Sequence, residues 1–300
     1  LKDLGVVIAS ELDIPPVGPV VINSVGRLLE QRFSVDDLTA KLLNGQLSTQ
    51  GTVQWLNAVS GDFRFTGRDI DLSTIREDTA SRLAFSGDGS FSTDENGIRS
   101  NIDLATMSGY LRGQAVTGTA KIATQPNVIK VERARFAAGE NRIELSGSLA
   151  QQLDGQFNLQ LDDLSVFDSR LAGNITGVGA FSGDLKLPRI NAELKGSALR
   201  LDQHTADVLD INIDVDAARS AESTAEMRIN SLSLKGKPLG ELVVSGRGNA
   251  GRHTARLDFN GEELTVKTQV NGSWQDKEWR GSLETITVNP IKIDKAKNSL

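Results

Sequence analysis

Leu153-Asp154-Gly155-Gln156-Phe157-Asn158-Leu159-Gln160-Leu161 alternates an apolar or small residue with a polar one over nine positions. A period of two places successive side chains on opposite faces of a β-strand. Leu153, Gly155, Phe157, Leu159 and Leu161 therefore share one face, and Asp154, Gln156, Asn158 and Gln160 share the other. The same alternation sets Ile211, Ile213 and Val215 against Asn212, Asp214 and Asp216, and Ala225, Met227 and Ile229 against Glu226, Arg228 and Asn230. It returns in Ala255, Leu257 and Phe259, in Leu264, Val266, Thr268 and Val270, and in Ile143, Leu145 and Gly147.

Strands with one greasy and one wet face suit antiparallel sheets, because parallel sheets covered by helices read as continuous apolar runs. Asn44-Gly45, Asn96-Gly97, Asp154-Gly155, Asn260-Gly261 and Asn271-Gly272 supply hairpin signals, with a place within or beside a strand as the alternative for Asp154-Gly155. The expected topology is a long meander. Helical pattern is scarce: Val25 to Gln31 and Ser73 to Asp78 are expected to form at most a short turn or helix each. Pro15, Pro16 and Pro19 mark an irregular or edge segment, so residues 1–33 are expected to be an irregular start with a possible short helix. No later break in composition divides the chain, and residues 1–300 are expected to be one continuous β segment. The chain opens on Leu1 rather than Met and is read as a portion of something longer.

Composition removes several functions. With no cysteine, neither a disulfide framework, a thiolate metal site nor a cysteine nucleophile is available. The 33 Lys and Arg against 39 Asp and Glu give a net charge of -6 without long blocks of either sign, which leaves nucleic acid no basic stripe to bind. No run approaches the roughly 18 apolar residues of a membrane-spanning helix, and the start lacks the layout of a signal peptide.

A weak repeat runs through Phe85-Ser86-Gly87-Asp88-Gly89-Ser90-Phe91, Leu145-Ser146-Gly147-Ser148-Leu149 and Phe181-Ser182-Gly183-Asp184-Leu185. Its spacing is irregular, unlike that of a solenoid. The glycines fall on the apolar side, where they reduce bulk and permit bending or close approach. A one-faced sheet must bury its greasy side against another layer, and no run of amphipathic helices exists to serve. Ten Phe, three Trp and one Tyr would fill a 300-residue sandwich thinly. The expected fold is therefore all-β: an elongated, mainly antiparallel meander curled into a β-taco or repeating groove with an apolar interior. About 20 strands at ~4.8 Å spacing would extend to ~95 Å. The groove-lining candidates are Phe63, Phe65, Phe85, Phe91, Ile143, Leu145, Phe157, Leu159, Leu161, Phe181, Leu185, Leu194, Ile211, Ile213, Val215, Met227, Ile229, Leu257, Phe259, Val266 and Val270.

Phe181 to Gly196, in which a glycine-containing strand reaches Pro188 and then a second strand ending in Gly196, resembles the recurring segment of the TamB group of AsmA-like proteins, with Gly183, Pro188 and Gly196 as the motif positions. Leu161 to Phe167 followed by Leu171 to Gly177 also resembles that family's linkage between repeats. The resemblance implies a hydrophobic groove carrying glycerophospholipid between the two membranes of a Gram-negative envelope. It further implies a periplasmic location, an inner-membrane anchor elsewhere in the chain, and a part in outer-membrane protein assembly with a TamA-like partner. That contact maps to the family's C-terminal end.

Catalytic chemistry finds little to work with. His204 and His253 are the two histidines and neither has metal-ligand spacing. His204 beside Asp202 and Asp207 is read as a solvated strand-end residue, and Asp210, Asn212, Asp214 and Asp216 as an outer face, since ligands ~7 Å apart along a strand do not converge on one cation. Asp162-Asp163 and Glu262-Glu263 would point to opposite faces within strands and make poor acid/base pairs. No enzyme activity, cofactor or metal is expected. The competing reading is a scaffold that offers strand edges to unfolded outer-membrane proteins.

Overall fold

The computed structural model describes residues 4–218, 222–275 and 278–290. The alternating segments become nineteen strands, which fall into two compact units, residues 1–151 and 152–300. The first contains β1 (Leu4–Ile14), β2 (Gly18–Leu29), β3 (Arg32–Leu42), β4 (Gly45–Gln54), β5 (Ser60–Ile70), β6 (Ser81–Asp94), β7 (Gly97–Leu111), β8 (Gln114–Gln125), β9 (Val128–Ala138) and β10 (Asn141–Leu149). The second contains β11 (Gln152–Leu161), β12 (Leu171–Asp184), β13 (Leu187–Leu201), β14 (His204–Asp216), β15 (Ser223–Leu234), β16 (Lys237–Asn249), β17 (Arg252–Gly261), β18 (Leu264–Gln275) and β19 (Glu278–Pro290).

Within each unit consecutive strands pair antiparallel, giving an open meander. Bulges interrupt the ladders, for example at Ser86/Gly87, Leu104/Met107 and Lys121/Ile122 in the first unit and at Ala172/Asn174 and Gln269/Val270 in the second. An extra residue on one strand bends it and raises its twist, so each sheet curls around its apolar face. The fold is the all-β groove that the alternation called for.

Residues 18–29 correct one expectation, because they form β2 rather than a helix or an irregular stretch. Val21, Val25 and Leu29 recur every fourth residue and imitate a helical stripe, yet all three are exposed on the outer side of a strand. Val20, Ile22, Ser24, Gly26 and Leu28 alternate with them on the inner side, so apolar residues stand on both faces of β2. Pro15 and Pro16 lie in the turn between β1 and β2. Asn271-Gly272 makes no hairpin: both residues lie inside β18, and the chain reverses only after Gln275. The Asn44 signal does mark a turn, with Leu43 and Asn44 at φ 50° and 56°, the left-handed pair that suits a two-residue hairpin.

Helical turns are confined, among the described residues, to two one-turn 3-10 segments, Leu72–Thr74 and Leu164–Val166. They are copies of one local design. Asp71 accepts the Ser73 N–H at 3.0 Å and Asp163 accepts the Ser165 N–H at 2.9 Å, within the matching stretches Asp71-Leu72-Ser73 and Asp163-Leu164-Ser165. A carboxylate at this position satisfies an amide the turn leaves unpaired. Leu164 and Val166 are buried by the arrangement.

Candidate functional site

Register turns the alternation of single strands into rows that cross each sheet. In the second unit Leu159 faces Gly177, which faces Leu194, and the row continues through Ile211, Met227, Val244, Leu257, Thr268 and Ile286. A parallel row runs from Phe157 through Gly179, Ala192, Ile213, Ala225, Gly246, Ala255 and Val270 to Leu283. A third joins Leu161, Ile175, Gly196, Leu209, Ile229, Leu242, Phe259, Val266 and Val288. Across nine strands, Thr268 is the one polar side chain in these three rows. Phe181 and Val215 belong to a fourth, shorter row through Ile190.

The first unit repeats the arrangement with aromatic rings. Phe63 lies in a row with Val35, Gly51, Gly89, Ile102, Ile122 and Val131. Phe65 shares a row with Leu104, Ala134 and Leu145, and Phe85 one with Met107, Phe136 and Ile143. Phe91 pairs across the ladder with Gly61. Rings and glycines thus alternate between β5 and β6: Phe63 opposes Gly89, Phe65 opposes Gly87, and Phe85 opposes Gly67. The Phe63 and Phe65 centroids are 6.2 Å apart, as are those of Phe65 and Phe85. Such spacing suits aromatic contact.

These faces are neither covered nor bare. Most of the named lining residues are half-buried, while Leu145 is exposed. Leu185 lies apart from the rows, exposed in the turn between β12 and β13. Of the motif positions, Gly183 pairs with Pro188 beside that turn, and Gly196 is buried in its row.

What core exists in the first unit follows one margin. Ile70, Leu83, Val116 and Ala138 are buried near the strand ends that carry the Leu72–Thr74 turn. At the other ends of the strands Trp55, Leu56, Val59, Ile98, Ile129 and Leu149 are exposed.

The outer faces carry the charge. Arg64 pairs with Asp88, Lys121 with Asp103, Arg135 with Glu144 and Arg189 with Asp214, each across neighbouring strands and in the open. Exposed pairs of this kind contribute ~0–1 kcal/mol each; they keep the outer side wet. Asp214 is thereby committed to an ion pair, and no cluster of metal-ligating side chains occurs among the described residues. Nor is any described helix long and apolar enough to cross a membrane.

His253, read in the sequence for its spacing alone, stands on the greasy side. His253 sits in the row of Ser223, Gly248, Gly272 and Gly281. Its Nε2 accepts the Trp279 indole N–H at 2.8 Å, and its Nδ1 lies 3.2 Å from the Asn249 carbonyl oxygen. The signal was present in the phase, since His253 stands two residues before Ala255 and four before Leu257.

Residues 1–295 match the family described as TamB, N-terminal domain. The chain belongs to the TamB family. A curated relative, the translocation and assembly module subunit TamB of Haemophilus influenzae, is 21% identical over 275 residues, which is 90% of this chain and 21% of the relative. The chain thus spans about a fifth of that relative's length. No solved structure matches it. Within the TamB family frame, the Phe181 to Gly196 segment is the hairpin of β12 and β13, and the Leu161 to Phe167 linkage is the second of the two aspartate-capped turns.

Proposed function

We propose that the apolar faces form a conduit along which this segment of a TamB protein passes glycerophospholipid between the inner and outer membranes. The observation that carries this reading is the set of apolar rows running from β11 to β19, interrupted by Thr268 alone, mostly half-buried as far as β18, and without a second layer over them among the described residues. A hydrocarbon chain laid across the rows gains on the order of 0.8 kcal/mol for each methylene removed from water. The gain repeats from strand to strand with little change, so movement along the face is nearly level in energy. The location that goes with this role is the periplasm of a Gram-negative cell, with the parent chain anchored in the inner membrane and a TamA-like partner at the outer one.

The test places a photo-crosslinking amino acid at Phe157 or Ile213, with Asn158 and Asp214 as outward controls. Phospholipid adducts at the inward pair alone are the expected result. Equal labelling of both pairs, or no labelling of a folded protein, would reduce the apolar face to an ordinary core.

A second reading is a scaffold for outer-membrane proteins in assembly with a TamA-like partner, acting by β-augmentation at a strand edge, and crosslinks from a strand edge to a client strand would separate it from lipid passage.

A further inference from the structure

Trp279 and His253 are locked together on the apolar side of β17 to β19. The indole ring lies flat over Gly272 and Gly281, which share a cross-strand row with His253. A Cβ on Gly272 would stand 2.6 Å from the ring and one on Gly281 closer still, so the ring rests directly on bare backbone. It is turned so that its N–H reaches His253 Nε2 at 2.8 Å.

The two neighbours of the imidazole fix where its proton sits. An indole N–H only donates, so Nε2 presents its lone pair; the Asn249 carbonyl oxygen, 3.2 Å from Nδ1, only accepts, so Nδ1 carries the hydrogen. His253 is therefore neutral in this arrangement, with one tautomer selected from both sides. A second proton has one place to go. On Nε2 it sets two donors face to face, whereas Nδ1 still donates to Asn249 as before. The whole loss falls on Trp279, whose single N–H has no other partner among the described residues.

Histidine ordinarily changes charge between about pH 5 and 8. β16 and β18 present Gly248 and Gly272 to His253, and neither brings a charge. Arg252, beside His253, and Glu278 and Arg280, beside Trp279, alternate onto the outer side, where Glu278 and Arg280 pair. Arg247 alternates likewise and pairs with Glu222. His253 and Trp274 border a hollow of about 460 Å³ whose one carboxylate is Asp216, which accepts the Ala218 N–H at 2.8 Å. Asp216 gives an imidazolium an opposite charge across that hollow, and nothing acidic lies in the row of His253 itself.

We propose that His253 is an acid-sensitive latch. Neutral, it holds the Trp279 ring down over Gly272 and Gly281; protonated, it releases the ring and leaves a positive charge on the apolar face. Switches of this kind work by the charging of a histidine at an interface. The latch stands on its hydrogen-bond geometry alone. Under the conduit reading, the same event breaks the apolar rows at β17 to β19 in acid.

The test labels the chain with 15N in its tryptophan indoles, which gives one N–H signal each for Trp55, Trp274 and Trp279. Trp279→Phe and Trp55→Phe assign them. Between pH 8 and pH 5 the Trp279 signal should move upfield along a one-proton curve, with the same midpoint as the His253 ring signals. Its exchange with water, relative to that of Trp55, should rise roughly threefold to tenfold, the worth of one hydrogen bond. Trp55 is a suitable reference because it is exposed at a strand end of the first unit. In His253→Gln an amide oxygen that does not titrate can take the place of Nε2, so the Trp279 signal should hold its position throughout.

A Trp279 signal that is flat across this range in the parent, or that moves with a midpoint unlike that of the His253 ring, would overturn the latch. So would a pH dependence that persists in His253→Gln, which would assign the event to a carboxylate. The first two outcomes need the parent chain only, so they decide the matter even where the variant melts early. No lipid enters the experiment, and its failure would leave the conduit reading standing.

Discussion

The floor between β5 and β6 and the floor between β15 and β17 use glycine at equivalent inward positions to opposite ends. In the first, Gly67, Gly87 and Gly89 each lie beneath a phenylalanine ring, and the missing side chain is replaced by an aromatic one from the next strand. In the second, Gly246 has nothing above it and Ala225 and Ala255 leave the space unfilled. A glycine in a strand weakens it unless its lost contacts are restored. The β5–β6 floor restores them from within the chain, so the comparison separates glycines that hold the sheet together from one that keeps room open.

Substitution tests this division most sharply at the covered positions. Gly89→Leu should destabilise the first unit by about 3 kcal/mol, because the new side chain must displace the Phe63 ring from a position it already occupies; denaturant titration reads the loss. A near-neutral result would mean the ring is no part of what holds the strands together. Phe65→Ala, which uncovers Gly87 and removes a contact with both Phe63 and Phe85, should cost about 2 kcal/mol, below the ~3–5 kcal/mol of a fully buried ring because Phe65 is half-buried.

A smaller effect attaches to the packed margin. The Ser73 hydroxyl, the Ser73 N–H and the Ser81 N–H all donate to Asp71 and hold its carboxyl below the ordinary 3.8. A depressed folded value means the stabilisation is present above the unfolded value and disappears as pH falls through the folded one. Asp71→Ala should therefore cost about 1 kcal/mol at neutral pH, and the gap between parent and variant should close on acidification below about pH 4. A gap independent of pH would assign the loss to packing. Smallest of all, Gly246→Val should stay within about 0.5 kcal/mol of the parent, since its Cβ meets no neighbour and valine suits a strand.

The strand faces were legible in the sequence because a period of two is a direct projection of backbone geometry, and Leu153 to Leu161 occupy the sides their alternation assigns. What single strands do not encode is register. That Phe63 meets Gly89, or that Gly246 meets two alanines, depends on where each hairpin turns. Asn271-Gly272 illustrates the difficulty: an Asn-Gly pair reads as a turn, yet Gly272 is needed flat beneath the Trp279 ring. β2 illustrates another, since Val21, Val25 and Leu29 stand on its outer face and Val20, Ile22 and Leu28 on its inner one with Ser24 and Gly26, and the alternation is blurred.

The pairing of each strand with its neighbours in sequence bears on how such a chain is made. Among the described residues of either unit each strand finds its partners in the neighbouring hairpins rather than far downstream. Local pairing of this kind keeps the entropy of loop closure small at every step. A polypeptide delivered end first can therefore add one strand at a time to a growing edge. Evolution can lengthen or shorten the product by whole hairpins without redesigning what is already there, as in other architectures where each element contacts only its neighbours.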